Sequence, residues 1–222
     1  MVLATRKAGP VLRRHRRHDS AATRAAILAA AEHNFAEGGL AGARTDAIAR
    51  AAGVNKALLY YYFPSKDGLY RAILEEHLKD FYRRGLEVLS SSGSPGAILL
   101  RYISMQFDFV SARPNYPRLF QRLMMAGGQP LRQLAQKYFL PLGRRLAKLI
   151  ERGVRTGEFR PVHTVHTIIS LVALTVFYFA SPIVRVVAPH DPYQRRRIAQ
   201  RKDEVLKFIR YALFKNPEDQ VI

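Results

Sequence analysis

The sequence predicts an all-α chain, with a small N-terminal helical unit followed by a larger C-terminal one. Apolar residues recur at helical spacing along most of its length, and no stretch sustains the two-residue alternation of a strand. A composition break at Ser90–Gly96, SSSGSPG, separates the two sets of helices. The 222 residues suffice for one large or two small domains with a buried core.

Taken in order, residues 1–18 contain Arg6, Lys7, Arg13, Arg14, Arg16 and Arg17 and no acidic residue, and read as a flexible basic arm. Asp19 or Ser20 can cap helix 1, in which Ile27, Leu28, Ala31 and Phe35 form a stripe, and Gly38 and Gly39 end it. The segment from Thr45 to Lys66, TDAIARAAGVNKALLYYYFPSK, reads as two short helices meeting at a glycine turn. Ile48, Ala49 and Ala52 line one face of the first, Gly53 breaks it, and Val54 is the apolar turn residue. Asn55 opens the second helix, whose Leu58 and Leu59 can pack back. Ala49 is small enough for a close crossing and Gly53 tolerates the positive φ of a sharp turn, so the geometry is helix-turn-helix. Pro64 and Ser65 start a long helix with Ser65 as cap and Leu69, Ile73, Leu78 and Phe81 repeating inward, up to the break at Ser90. Further helices are expected over 96–112, 116–126, 130–156 with a bend at Pro141, 162–180 and 193–215. The expected domains are the arm at 1–18, a helix-turn-helix domain at 19–66, and a larger domain at 67–222.

The formal net charge of +19, from 36 Lys and Arg against 17 Asp and Glu, favours a polyanionic partner, nucleic acid first and membrane surface second. Charge alone does not locate that partner, because residues 1–70 carry a net of +6 and the remainder +13. The absence of cysteine excludes disulfides, thiolate metal sites and cysteine nucleophiles, and fits a reducing cytoplasm. The basic N-terminus has no apolar core and is not a secretory signal. The longest apolar run, Ile168 to Ala180, holds 13 residues where a span needs about 20, so it reads as a buried helix.

The run Asn55, Lys56, Ala57, Leu58, Leu59, Tyr60, Tyr61, Tyr62, Phe63, Pro64, Ser65, Lys66 and then Leu69, behind an AGV turn and an apolar helix at Ser20 to Glu37, resembles the TetR family of transcriptional regulators. The resemblance covers roughly residues 20 to 75 and implies DNA binding, a C-terminal domain that binds a small molecule and dimerises, and a repressor released from a palindromic operator. The first turns of the second short helix offer Asn55, Lys56, Ala57 and Leu58 to the major groove. Asn can pair with adenine, Lys can donate to guanine, and Ala57 and Leu58 can touch thymine methyls. The resemblance puts Tyr60, Tyr61 and Tyr62 where phosphate or base contacts are common, and Lys66 where a phosphate is held. Thr45 would anchor the backbone, with Phe63 and one tyrosine packed inside. Arg44 follows Ala43 where family members often carry Ser or Thr, and either replaces that contact with a charge or stands solvated; Ala57 and Leu58 replace a frequent Gly and Thr, a departure that bears on the operator sequence. The basic arm at 1–18 either tracks phosphates or stands solvated.

In the larger domain Phe107, Tyr116, Phe120, Met124, Tyr138 and Phe177 are the expected effector-pocket residues as a set, although each taken singly reads better as plain core. Leu171 and Leu174, with the stripe Val205, Phe208, Ile209 and Ala212, are the expected homodimer interface, made by the last two helices and their symmetry mates. No cofactor and no metal are expected. His163 and His166 could share an ion but lack a completing ligand, and Glu75 and Glu76 point apart on their helix, so no catalytic set is expected. The rival reading is a basic helical protein that binds anionic membrane surfaces or nucleic acid nonspecifically, suggested by the arm and by Arg195, Arg196, Arg197, Arg201 and Lys202. A further reading makes Arg101, Arg113, Arg118, Arg122 and Arg132 counterions for an acidic ligand.

Overall fold

The computed structural model of the chain describes residues 10–181, 183–187, 191 and 193–218, with side chains from Ser20 onward except that of Arg185. The chain is all-α and forms two compact units, divided after Ile73 within the fourth helix.

The first unit contains α1 (Pro10–Gly42), α2 (Thr45–Ala51), α3 (Lys56–Tyr62) and the opening turns of α4 (Lys66–Leu89). Helix α1 begins at Pro10, ahead of the expected cap at Asp19 or Ser20, because VLRRHRRHDS holds no residue that stops a helix. Residues 1–9 of the expected arm lie outside the described residues. Gly39 takes φ +67° and ψ −175° and breaks the helix where the Gly38–Gly39 pair predicts. Ile27, Ala31 and Phe35 form the buried stripe of α1, and they meet Ile48, Ala49, Leu59, Phe63, Leu69, Tyr70 and Ile73 in one core. The Phe35 and Tyr70 rings meet edge to face at 5.2 Å. Ser65 accepts from the Gly68 N–H at 2.9 Å, the expected cap of α4.

The second unit takes the rest of α4, then α5 (Pro95–Ser111), α6 (Tyr116–Ala126), α7 (Gly128–Leu134), α8 (Leu140–Arg155), α9 (Thr164–Ala180), α10 (Ile183–Val187) and α11 (Arg195–Leu213). Helix α5 is its axis. Ser94 caps it, Pro95 occupies its first turn, and Leu99, Ile103, Phe107 and Phe109 are buried as it packs on α8, α9 and α11. The long helix expected over 130–156 is interrupted by a π-helical turn at Ala135–Phe139, where the Leu140 N–H reaches back five residues to the Ala135 carbonyl. Pro141 follows immediately; lacking an N–H and crowding the preceding turn, it accounts for the irregularity. Asp80 ties α4 to the turn that follows α5, accepting from Arg113 at 2.6 Å and from its own helix neighbours Arg83 and Arg84.

The segments that follow α8 and α11 clip together at an isolated antiparallel bridge between Phe159 and Phe214. The Arg160 N–H donates to the Leu213 carbonyl at 2.8 Å, the Lys215 N–H to the Glu158 carbonyl at 3.0 Å, and the two rings lie 5.0 Å apart. Phe159 is fully buried because it lies against Gly153, where a Cβ would overlap its ring. Gly153→Ala is therefore expected to destabilise the fold by about 1–3 kcal/mol. Gly143→Ala, on the same helix but with open space around the new methyl, should be neutral or stabilising by up to about 1 kcal/mol. Denaturant unfolding of both variants checks the pair, and equal effects would contradict the packing.

Candidate nucleic-acid interface

The turn between α2 and α3 is built on backbone geometry. Gly53 has φ +69° and nothing within 4 Å of a built Cβ, so the position demands the left-handed conformation rather than space. The Gly53 N–H donates to Arg50 and the Val54 N–H to Ala49, closing α2. Asn55 then caps α3, its Oδ1 accepting from the Leu58 N–H at 2.7 Å. The oxygen that a bidentate adenine contact requires is thus already engaged, leaving Nδ2 as the group that faces outward chemistry.

Lys56, Ala57, Leu58, Tyr60 and Tyr61 are exposed on α3, Tyr61 to 79%, while Leu59 is buried. Leu58 does not pack back as expected; helical spacing lets only one of two adjacent leucines face the core. Lys56 pairs with Asp46 of α2 at 2.8 Å, and this hydrogen-bonded pair lowers the Asp46 pKa and raises that of Lys56. The Tyr60 hydroxyl lies 3.4 Å from Thr45 Oγ1, and the Tyr62 hydroxyl donates to Ser20 Oγ at 3.1 Å. Tyr62 is half-buried and Phe63 is buried, so Tyr62 is the tyrosine that turns inward. Arg44 is exposed just ahead of α2. Lys66 is half-buried, with Nζ donating to the Ala41 and Ala43 carbonyls at 3.3 and 3.2 Å, so it holds the α1–α2 connection and keeps one proton for another acceptor. Sequence reasoning missed Asp46, and took Ser20 as a helix cap rather than as the partner of Tyr62. The opposite charges of Asp46 and Lys56 on either side of the turn were the available signal for the first; the second had none.

In the second unit, Tyr116 stacks on Phe120 at 5.7 Å, Phe120 lies 5.4 Å from Phe139, and Phe109 meets both Tyr116 and Phe81. Burial pushes the Tyr116 hydroxyl far above its usual pKa. Tyr138 is buried, with its hydroxyl donating to Glu75 at 2.9 Å, and Phe107 packs on Phe179. Met124 and Phe177 stand 50% and 58% exposed, at the surface rather than in this aromatic core.

Of the expected interface residues, Leu171, Val205 and Ile209 are buried by this chain itself, and Leu174 is half-buried. Phe208 and Ala212 face out, joined by Tyr211 and by Val165, Ile169, Val172 and Phe177 of α9. The apolar helix is thus buried on one face only, a correction to the expected buried helix: its neighbours cover Leu171, Thr175 and Phe179 and leave the opposite face open. No helix among the described residues is long and apolar enough to cross a membrane. His163 caps α9, its Nδ1 accepting from the His166 N–H at 3.5 Å, and the two rings lie 4.5 Å apart.

Residues 27–73 match the family model described as bacterial regulatory proteins, tetR family, and residues 95–209 match that of the tetracyclin repressor-like C-terminal domain. The chain is 34% identical over 157 residues to the HTH-type transcriptional regulator RutR of Escherichia coli, covering 71% of this chain and 74% of that one. It is 45% identical over 101 residues to the HTH-type transcriptional repressor SCO4008 of Streptomyces coelicolor, covering 46% and 49% respectively. The solved structure of the ketosteroid transcriptional regulator KstR2 of Mycobacterium tuberculosis shares the fold, with a TM-score of 0.73 at 18% identity over 87% of this chain and 95% of that one. With a glycine-turned pair of short helices, the second exposed on one face, and matches to both halves of the architecture, the chain belongs to the tetR family of bacterial regulatory proteins and is a DNA-binding transcriptional regulator.

Proposed function

We propose that this regulator is a cytoplasmic repressor that binds a palindromic operator as a homodimer, is released by a small-molecule effector, and carries out no chemistry of its own. The exposed face of α3 carries the reading. Lys56 donates to guanine acceptors, Ala57 and Leu58 meet thymine methyls, and Asn55 donates through Nδ2. Arg44, Thr45, Tyr60 and Tyr61 hold the backbone, and the remaining proton of Lys66, at the start of α4, takes a phosphate. The name of the Streptomyces coelicolor relative supports repression.

The uncovered apolar faces of α9 and α11 support the homodimer, a second copy covering Ile169, Val172, Phe208, Tyr211 and Ala212. The aromatic cluster of Tyr116, Phe120 and Tyr138, with Phe107 beside it, is the effector region. The effector acts by binding more tightly to the conformation whose recognition helices no longer match the groove spacing.

Selection of bound sites from a random double-stranded DNA pool at near-physiological salt is expected to enrich an inverted repeat. Enrichment of no sequence would remove the reading. Asp46→Asn, which frees Lys56 from its carboxylate, should tighten nonspecific duplex binding and steepen the salt dependence by about one unit in log K against log salt. An unchanged slope would place Lys56 off the DNA. Phe208→Asp is expected to shift sedimentation from dimer to monomer and to cost operator affinity at least about tenfold, since each protomer would then bind its half-site alone. A dimer that survives that substitution and Ile169→Asp would move the interface elsewhere.

A further inference from the structure

Several cations in the second unit have carboxylate partners. Lys137 pairs with Glu75, Lys202 with Asp108, and Arg83, Arg84 and Arg113 converge on Asp80. Helix α8 departs from this. Arg145, Lys148, Arg152 and Arg155 stand at i, i+3, i+7 and i+10, one face of the helix over about 15 Å of rise. All four are exposed, and none forms an ion pair among the described residues. Together with Leu89 at the end of α4, and with Leu149 and Glu151, they line an open groove of about 490 Å³, within the range of small-molecule sites. Arg145 donates to Ser90 Oγ at 3.2 Å, which holds its guanidinium at the end of that groove.

We propose that this groove binds a multiply phosphorylated small molecule of the nucleotide class. Three guanidinium groups and an ammonium in one row present the bidentate and point-charge donors that phosphate oxygens take. Leu89, half-buried at the edge of the groove, supplies apolar surface for an organic body, which a bare ion would not need. Glu151 argues against a continuous polyanion such as duplex DNA, because it sets a like charge within the row. It suits instead a ligand that brings a hydroxyl or ring N–H donor beside its phosphates. The groove belongs to α8 and the end of α4, away from the aromatic effector region, and its assignment stands independently of the operator reading.

The test is calorimetric titration of the full chain with adenosine triphosphate, and separately with inorganic tripolyphosphate and with sulfate at matched ionic strength. The expected result is saturable binding of adenosine triphosphate, one per chain, tighter than tripolyphosphate and absent for sulfate. The double variant Arg145→Gln/Arg152→Gln should weaken it at least about tenfold. Lys148→Gln/Arg155→Gln is the second variant should the first melt at lower temperature. Arg195→Gln/Arg196→Gln, in the other arginine cluster, should leave it unchanged. Binding that never saturates, or that both arginine double variants weaken equally, would overturn the site as general charge. Loss of duplex affinity in Arg145→Gln/Arg152→Gln without saturable nucleotide binding would reassign the row to DNA.

Discussion

A seven-residue helix does not hold itself together in water. Nucleating the first turn fixes several dihedrals for a single hydrogen bond, and two turns return too little to offset that. Helices α2 and α3 each have seven residues, so their existence depends on burying Ile48 and Ala49 on one and Leu59 on the other, with Phe63 beyond it. Each large apolar side chain so buried contributes roughly 1.5–3 kcal/mol. The outward residues of α3 are presented in a fixed array because the inward ones are anchored against α1 and α4. The proposed recognition chemistry is the solvent side of a packing arrangement.

Polar contacts refine that arrangement without carrying it. Asn55 fastens the first turn of α3, Lys66 draws two carbonyls of the α1–α2 connection together, and Asp46 restrains Lys56 across the turn. Each of these residues has a structural role as well as a place near the expected DNA face. The Asp46–Lys56 pair is solvent-exposed on both sides, so its worth lies in positioning more than in stability. Net charge is a coarse guide for the same reason: what matters is which cations are already neutralised. Arg113 and Lys202 are paired inside the second unit, whereas the row on α8 is not.

The last two long helices illustrate the limit of periodicity. Val205, Phe208, Ile209 and Ala212 fall on one stripe by spacing, and the α9 run is apolar nearly all round. Packing divides that surface. Val205 and Ile209 turn inward with Leu171, while Phe208 and Tyr211 remain open beside Ile169 and Val172 of α9. A stripe about 100° wide is broad enough for its two edges to meet different neighbours, and only the position of those neighbours decides which edge stays uncovered.

The sequence by itself determined the all-α class, the glycine turn at Gly53, the helix start at Asn55, the cap at Ser65, and the buried stripes of α1 and α4. These rest on local physics: backbone strain at one residue, a side chain reaching a nearby amide, and apolar spacing along one helix. Only the tertiary structure decided that Leu58 faces out and Leu59 in, that Lys66 grips backbone carbonyls more than twenty residues away, and that Pro141 is preceded by a π-helical turn. It also decided that Met124 and Phe177 leave the aromatic core, and that Gly153 makes room for Phe159. Those outcomes depend on which distant segments arrive beside each residue, information that no local window contains.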